Sequence, residues 1–575
     1  MKSNRWKMMA AGVVLVVLVV GAAACVAPAA PGAPPPAEPV TEVEEALPSE
    51  ASAPEEPAQE DVVLAMSIGA EPASMDPNLA QDTFAINILE NMFLGLTNLN
   101  NETGEVEPEL ATDWDISEDG LVWTFNMRDD AVWSDGKPVT AHDVEYSVKR
   151  AVAPETVSPY AYVLYIIKNA QAINQTDVNQ DSYDIDTLGV KALDDTTVQF
   201  TLEAPATYFE AISSLWTLRP VPQWAVEEHG ELWTEAENVV TNGPYLLEEW
   251  KHGEQLTLVK NPDYYDADGV QIDRFVLDII TDQFTELALY ESGELDVAGD
   301  GPGTLPMEER ARINEDPVLS QELHIGPRAS TTYVGFTMTK PPFDDPLVRK
   351  AFSAAIDREV MVRDVVGSGV PATQFAPPGI FGAPDPEVGI ETDVEQAQAW
   401  LAEAGYPDGE GFPTVTYRYF ASSLEEVLGE ALQAMWSEAL NVDVNLESQE
   451  WPVFIAGINP ETPLEEMPEM WRLGWGADYP DENNWVYEVF HCTASTNYSR
   501  AECSEADEMA QAAALETDPD KRKEYYEQVE SLMFGEEVRA APYYHRGYTI
   551  LTKPYVQRGY TTFAPNNWDT WSIEQ

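Results

Sequence analysis

The chain has 575 residues, 44% of them hydrophobic and 10% aromatic, a composition that excludes a disordered protein and predicts two or three structural units. Its 101 acidic residues against 31 lysines and arginines give a formal net charge of −70. That charge argues against nucleic acid and anionic lipid surfaces as partners; as a solubility or high-salt adaptation it says little about any ligand.

In chain order, the first element is a secretory signal. Lys2, Arg5 and Lys7 form a positive start, Gly12–Val20 an apolar run, and Gly21–Ala24 a small-residue approach to Cys25. The apolar run is short for a membrane span, which needs about 20 residues. Residues 1–24 are therefore expected to be removed. A cysteine directly after the small residues resembles the bacterial lipobox, so Cys25 is the expected lipidation site, although Ala22 stands where such sites favour leucine. Residues 26–60, almost entirely Ala, Pro, Glu, Val and Ser, have too few large apolar side chains to order and predict an extended tether. Cys492 and Cys503 fit an oxidising compartment and are expected to form a disulfide.

From Asp61 onward strand and helix signals intermix. Trp123, Phe125 and Met127 alternate with polar residues as a half-buried strand does. Ser134-Asp135-Gly136-Lys137 is turn chemistry, and Thr140 is an N-cap with Asp143 at N3. Val198, Phe200 and Leu202 alternate again. Thr414–Phe420 reads as a strand, Ser422 and Glu425 as a capping box, Leu424 to Leu440 as an amphipathic helix, and Val442, Val444 and Leu446 as the next strand. A strand-helix-strand unit implies a parallel pair with a right-handed crossover, hence mixed α/β architecture.

A series of motifs then covers some 450 residues: Pro108–Trp114, Ser117–Phe125, Trp133–Val144, Asn242–Tyr245, Lys260–Tyr265, Ser292–Asp296, Pro342–Ala351, Ala355–Arg358, Ala402–Gly409 and Trp475–Asp481. Their content and order resemble the family 5 solute-binding proteins, the oligopeptide, dipeptide and nickel class of ABC importers. The resemblance implies an α/β, two-lobed periplasmic-binding-protein-like fold (type II, class C) with an extra small domain in lobe I and a hinge. Mapped here, lobe I takes 61–100, 187–328 and 545–575, the extra domain 101–186, and lobe II 329–544. The implied role is capture of an oligo- or dipeptide between lobes that close over it, and delivery to an ABC permease. The expected protein is a monomer that meets the membrane through its lipid anchor alone and carries no cofactor.

Asp478 is the first ligand candidate: it resembles the aspartate with which peptide-binding members hold an α-ammonium group, a charge-assisted contact that is strong in a dewatered cleft. Gly474, Trp475, Gly476 and Ala477 supply an edge that a ligand backbone can approach, with Trp475 as a stacking wall. Glu71, Ala73 and Ser74 lie in Glu71–Pro77, similar to a segment that borders the cleft in peptide binders; local turn bonds from Ser74 and Asp76 explain it equally well. Tyr333 falls where the family has an aromatic-rich strand, but Thr337 replaces the usual Asn there, and Phe420 ends a strand near a pocket.

Other readings have less support. No nucleophile elbow, zincin motif, P-loop or dinucleotide fingerprint occurs, so a hydrolase has no motif behind it, and the six histidines show no metal-ligand spacing. An oligosaccharide binder of the same family would use tryptophans for sugar stacking, and 16 are present. A nickel-chelate site would draw on His491 or His545, and a surface adhesin would need no lobe closure.

Overall fold

In the computed structural model the chain is described over residues 61–100, 103–300, 305–384, 388–563 and 566–574. The signal, Cys25 and the tether lie outside the described residues. An eleven-stranded mixed sheet runs in the order Val444–Gln449, Val415–Phe420, Met470–Gly476, Leu323–Phe336, Ala540–Thr552, Val297–Ala298, Val63–Ser67, Arg274–Asp278, Gln255–Lys260, Tyr245–Lys251, with Val370–Pro371 added to Ala540–Thr552.

Two strands give this sheet its two-lobed character. Leu323–Phe336 and Ala540–Thr552 pair antiparallel over nearly their whole length. Leu323–Pro327 faces Gly547–Leu551 and Thr331–Gly335 faces Ala540–His545, with a register shift between Pro327 and Thr331. On one side of that shift the sheet continues through Val297–Ala298 into Val63–Ser67; on the other it continues through Met470–Gly476 into Val415–Phe420. A β-bulge bends a strand and loosens its ladder, so Arg328–Ser330 marks the crossing between lobes. Each lobe has its own apolar core: Leu64, Leu89, Phe275 and Trp568 in the first, Phe352, Tyr417, Leu432 and Trp436 in the second.

The strand-helix-strand unit forms as the alternation predicts. Val415–Phe420 and Val444–Gln449 are parallel neighbours joined by the helix Ser423–Leu440. Ser422 caps that helix by accepting from the Glu425 N–H, but the capping box is half made: the Glu425 carboxylate turns to Arg472, 2.6 Å away. The buried guanidinium outcompetes a backbone N–H that water also satisfies. At Thr140 the reciprocal bond does form, the Thr140 N–H donating to Asp143 at 2.8 Å. Gly136 adopts φ 83°, the left-handed geometry that its turn requires.

A separate antiparallel sheet contains Ala111–Ile116, Val122–Met127, Thr197–Thr201 and Val190–Ala192. This sheet joins strands from both sides of residue 186. Phe125 packs edge-on against Phe200 at 5.8 Å, and Trp123 against Phe209 at 5.5 Å, so the core of this sheet needs the later strands.

Cys492 and Cys503 are disulfide-bonded. The Cys492 N–H donates to Asp507, whose carboxylate also receives Arg539. Cys492→Ser with Cys503→Ser is expected to cost about 2–4 kcal/mol, the chain-entropy value for a short loop, measurable as a lower denaturant midpoint.

Candidate functional site

Asp478 follows the strand Met470–Gly476 at the level of the crossing between lobes. It is half-buried, and its Oδ2 accepts from Asn484 Nδ2 at 3.1 Å and from Tyr162 Oη at 3.4 Å. Tyr162 sits on the turn Ala161–Ile166 of the extra domain, so this contact bridges the lobes. Asn484 holds the geometry: its Oδ1 accepts from the Asp478 N–H at 2.9 Å and from Trp475 Nε1 at 3.2 Å, while its Nδ2 also donates to Glu488 at 2.7 Å. Among the described residues neither Asp478 nor Glu488 has an ion-pair partner. Burial pushes Asp478 up to about 6 against the pull of its Asn484 and Tyr162 bonds, and burial followed by the Asp478 charge pushes Glu488 up to about 8. At neutral pH the site thus presents one ionised, desolvated carboxylate without a counterion.

Beside it lies an open strand edge. Met470–Gly476 pairs with Leu323–Phe336 along its full length, but on its other side with Tyr417 and Arg418 at Met470 and Trp471 only. The Ala477 N–H donates to Ala329, so residues 475 and 477 direct their main-chain groups into the sheet. By strand alternation, Gly474 and Gly476 direct theirs outward to the unpaired edge. Both lack a side chain, and Gly476 is exposed, so another backbone can come within hydrogen-bonding distance. Phe420 stands near this edge, 5.1 Å from the Arg472 guanidinium and edge-on to Trp451 at 5.2 Å. Trp451, 49% exposed, opens the helix Trp451–Ile458; its sequence signal is a large aromatic two residues after the strand Val444–Gln449.

The remaining expected residues have partners of their own. Glu71 accepts from the Gly253 N–H at 2.8 Å and meets His252 at 2.8 Å, tying its loop to a lobe I hairpin. Ser74 accepts from the Asp76 N–H at 3.2 Å, the local turn bond, and the exposed Ala73 donates to Asp82. Tyr333 is fully buried among Phe375, Trp471 and Phe490, because strand alternation turns it into the aromatic core, on the face opposite to Thr332, which is itself buried. It is not a cleft residue here. His545 is also on the core side, bonded to Thr331 at 2.8 Å and pushed down to about 3 by burial. His491, Cys492 and Asp507 cluster, but the disulfide removes the thiolate that a metal would need.

The lobes also meet away from Asp478. Tyr208 stacks on Tyr479 with centroids 5.7 Å apart, and Arg522 donates to Thr207 at 3.1 Å. These contacts describe a closed arrangement.

Residues 105–497 match the family model for bacterial extracellular solute-binding proteins, family 5. The chain is 32% identical over 489 residues to the oligopeptide-binding protein OppA of Bacillus subtilis, covering 84% of this chain and 87% of that one. Among solved structures it resembles the Escherichia coli murein tripeptide binding protein MppA, with TM-score 0.75, 31% identity and coverage of 90% and 99%. It also resembles Haemophilus influenzae OppA in complex with RPPGFSPFR, with TM-score 0.73, 28% identity and coverage of 90% and 100%. Members of this family bind solutes and are not enzymes; the chain belongs to family 5 of the bacterial extracellular solute-binding proteins.

Proposed function

We propose that this protein captures short peptides with a free amino terminus and delivers them to an ABC permease. The observation that carries the reading is Asp478, a desolvated carboxylate without a counterion at the end of an unpaired strand edge. An extended peptide adds to such an edge by main-chain bonds, which tolerate many side chains, while its ammonium group meets the carboxylate. OppA and MppA, to which the chain is similar, are named for oligopeptide and murein tripeptide binding. The signal at 1–24, acylation at Cys25 and the tether at 26–60 would hold the binding lobes near the membrane that carries the permease.

Thermal unfolding with a pool of tri- to pentapeptides tests this. A ligand at 100 times its Kd adds roughly 2.7 kcal/mol of apparent stability, so the peptide pool is expected to raise Tm and its N-acetylated counterpart is not. Stabilisation by cello- or xylo-oligosaccharides instead, stacking on Trp451 and Trp475, would overturn the peptide assignment.

A further inference from the structure

In a chain with 101 acidic residues, Arg546 has no carboxylate within ion-pair distance among the described residues. Other arginines without a carboxylate donate their terminal nitrogens to main-chain carbonyls: Arg358 to Ser353, Arg349 to Phe343 and Arg500 to Pro460. Arg546 instead donates Nε to Thr332 Oγ1 at 3.1 Å, and its two terminal nitrogens have no protein acceptor among the described residues.

Those nitrogens sit over the open edge. Arg546 Nη2 is 3.5 Å from the point where a side chain on Gly474 would begin, and Arg472 Nη1 is 3.7 Å from the same point. Arg472 is ion-paired with Glu425 at 2.6 Å, whereas Arg546 feels the same carboxylate only at longer range and makes no ion pair with it. Arg328, at the bulge, adds to the field: it stands 3.9 Å from Asp300, which is already engaged by Arg558 at 2.5 Å. Four guanidinium groups thus face two carboxylates, and the surplus positive charge collects beside a glycine floor. The surface of this protein repels anions as a whole, so a local positive excess selects for a ligand group that brings its own negative charge.

Resting on the peptide reading, we propose that Arg546, supported by Arg328, is a subsite for an acidic ligand side chain and makes the protein selective for acidic peptides. Gly474 lies four residues along the strand from Asp478, about 13 Å at the usual strand rise. A carboxylate there belongs to about the third or fourth residue counted from the captured amino end. Because side chains alternate faces, an acidic side chain is read at one of those positions and not at its neighbour.

Calorimetric titration of the purified protein tests this. Ala-Ala-Glu-Ala or Ala-Ala-Ala-Glu, as C-terminal amides, is expected to bind on the order of 10- to 100-fold more tightly than its glutamine counterpart, the range for hydrogen bonds to charged groups. Arg546→Gln removes that preference while leaving neutral peptides bound, and Arg546→Lys retains part of it. Indifference to glutamate, with a loss on C-terminal amidation that Arg546→Gln abolishes, assigns Arg546 to the terminal carboxylate and overturns the side-chain subsite. The inference is overturned if neither change matters, or if Arg546→Gln leaves the discrimination intact. N-acetylation tells the two claims apart: peptides that bind only with a free amino group, yet without acidic preference, sink the subsite and leave the peptide reading standing. A protein that binds no peptide at all sinks both.

Discussion

Arg522→Met is expected to destabilise the protein by about 3–5 kcal/mol, the range for breaking a buried ion pair on one side. The Arg522 guanidinium reaches both oxygens of Asp481, at 2.6 and 2.7 Å, together with Tyr526 Oη at 2.8 Å and Thr207 of the opposite lobe. The rings of Tyr208, Phe381 and Tyr526 lie about 5 Å from its centre, so water cannot replace it. Methionine leaves Asp481 buried and unpaired three residues from Asp478. Removing both charges, as Arg522→Met with Asp481→Leu, is expected to recover much of the loss, which a double-mutant cycle in denaturant would measure. Because Arg522 also contacts Thr207, the single variant is expected to weaken ligand binding through loss of the closed form. Equal stability of single variant and wild type would contradict this account of the lobe II core.

The second large effect is on pH dependence. Glu482 and Glu530 are fully buried and face one another, and Glu530 also accepts from the N–H groups of Phe375 and Ala376 at 2.8 and 2.7 Å. Burial first, and for Glu482 the neighbouring Glu530 charge second, raise their pKa values, Glu530 to about 7. Arg522 and Asp481 are the other charged groups acting on Glu482. The sign follows from linkage: acids raised in the folded state contribute stability that is complete below their unfolded values near 4.3 and is lost as pH rises through about 7. Stability is therefore expected to fall by a few kcal/mol between pH 5 and pH 8.5. Asp507, held at about 2 by Arg539 despite its burial, acts in the opposite direction and only in strong acid. Glu482→Gln removes one ionisation and should flatten the decline; a decline of unchanged slope would contradict the raised pKa of Glu482.

The parts of this structure that follow local rules were legible from sequence. The alternation at Trp123–Met127 and the strand-helix-strand unit at 414–446 formed as periodicity and capping dictate. The motif around Asp478 pointed to a residue that the structure sets at the lobe crossing beside the glycine edge. What could not be read depends on tertiary partners. The Glu425 side chain left its cap for Arg472, which is 47 residues away in sequence. Tyr333 and Thr332 differ by one position in a strand, and only the pairing decides which of them joins the aromatic core. Arg546 gave no sequence signal, because the absence of a counterion is a property of the packed neighbourhood and not of adjacent residues. The sheet of Ala111–Ile116 and Val122–Met127 is completed by Val190–Ala192 and Thr197–Thr201, a pairing across an intervening helical segment that local patterns do not reveal.

Calorimetric titration with one tetrapeptide, as the free amine and N-acetylated, against wild type and Asp478→Ala, tests the central claim most directly. The account predicts that the free amine binds wild type, and that either acetylation or the substitution weakens binding on the order of 100-fold, as expected when one partner of a desolvated charge pair is removed. Equal affinity for both peptides, or unchanged binding by Asp478→Ala with an unaltered Tm, would contradict the assignment of Asp478 as the residue that holds the amino terminus.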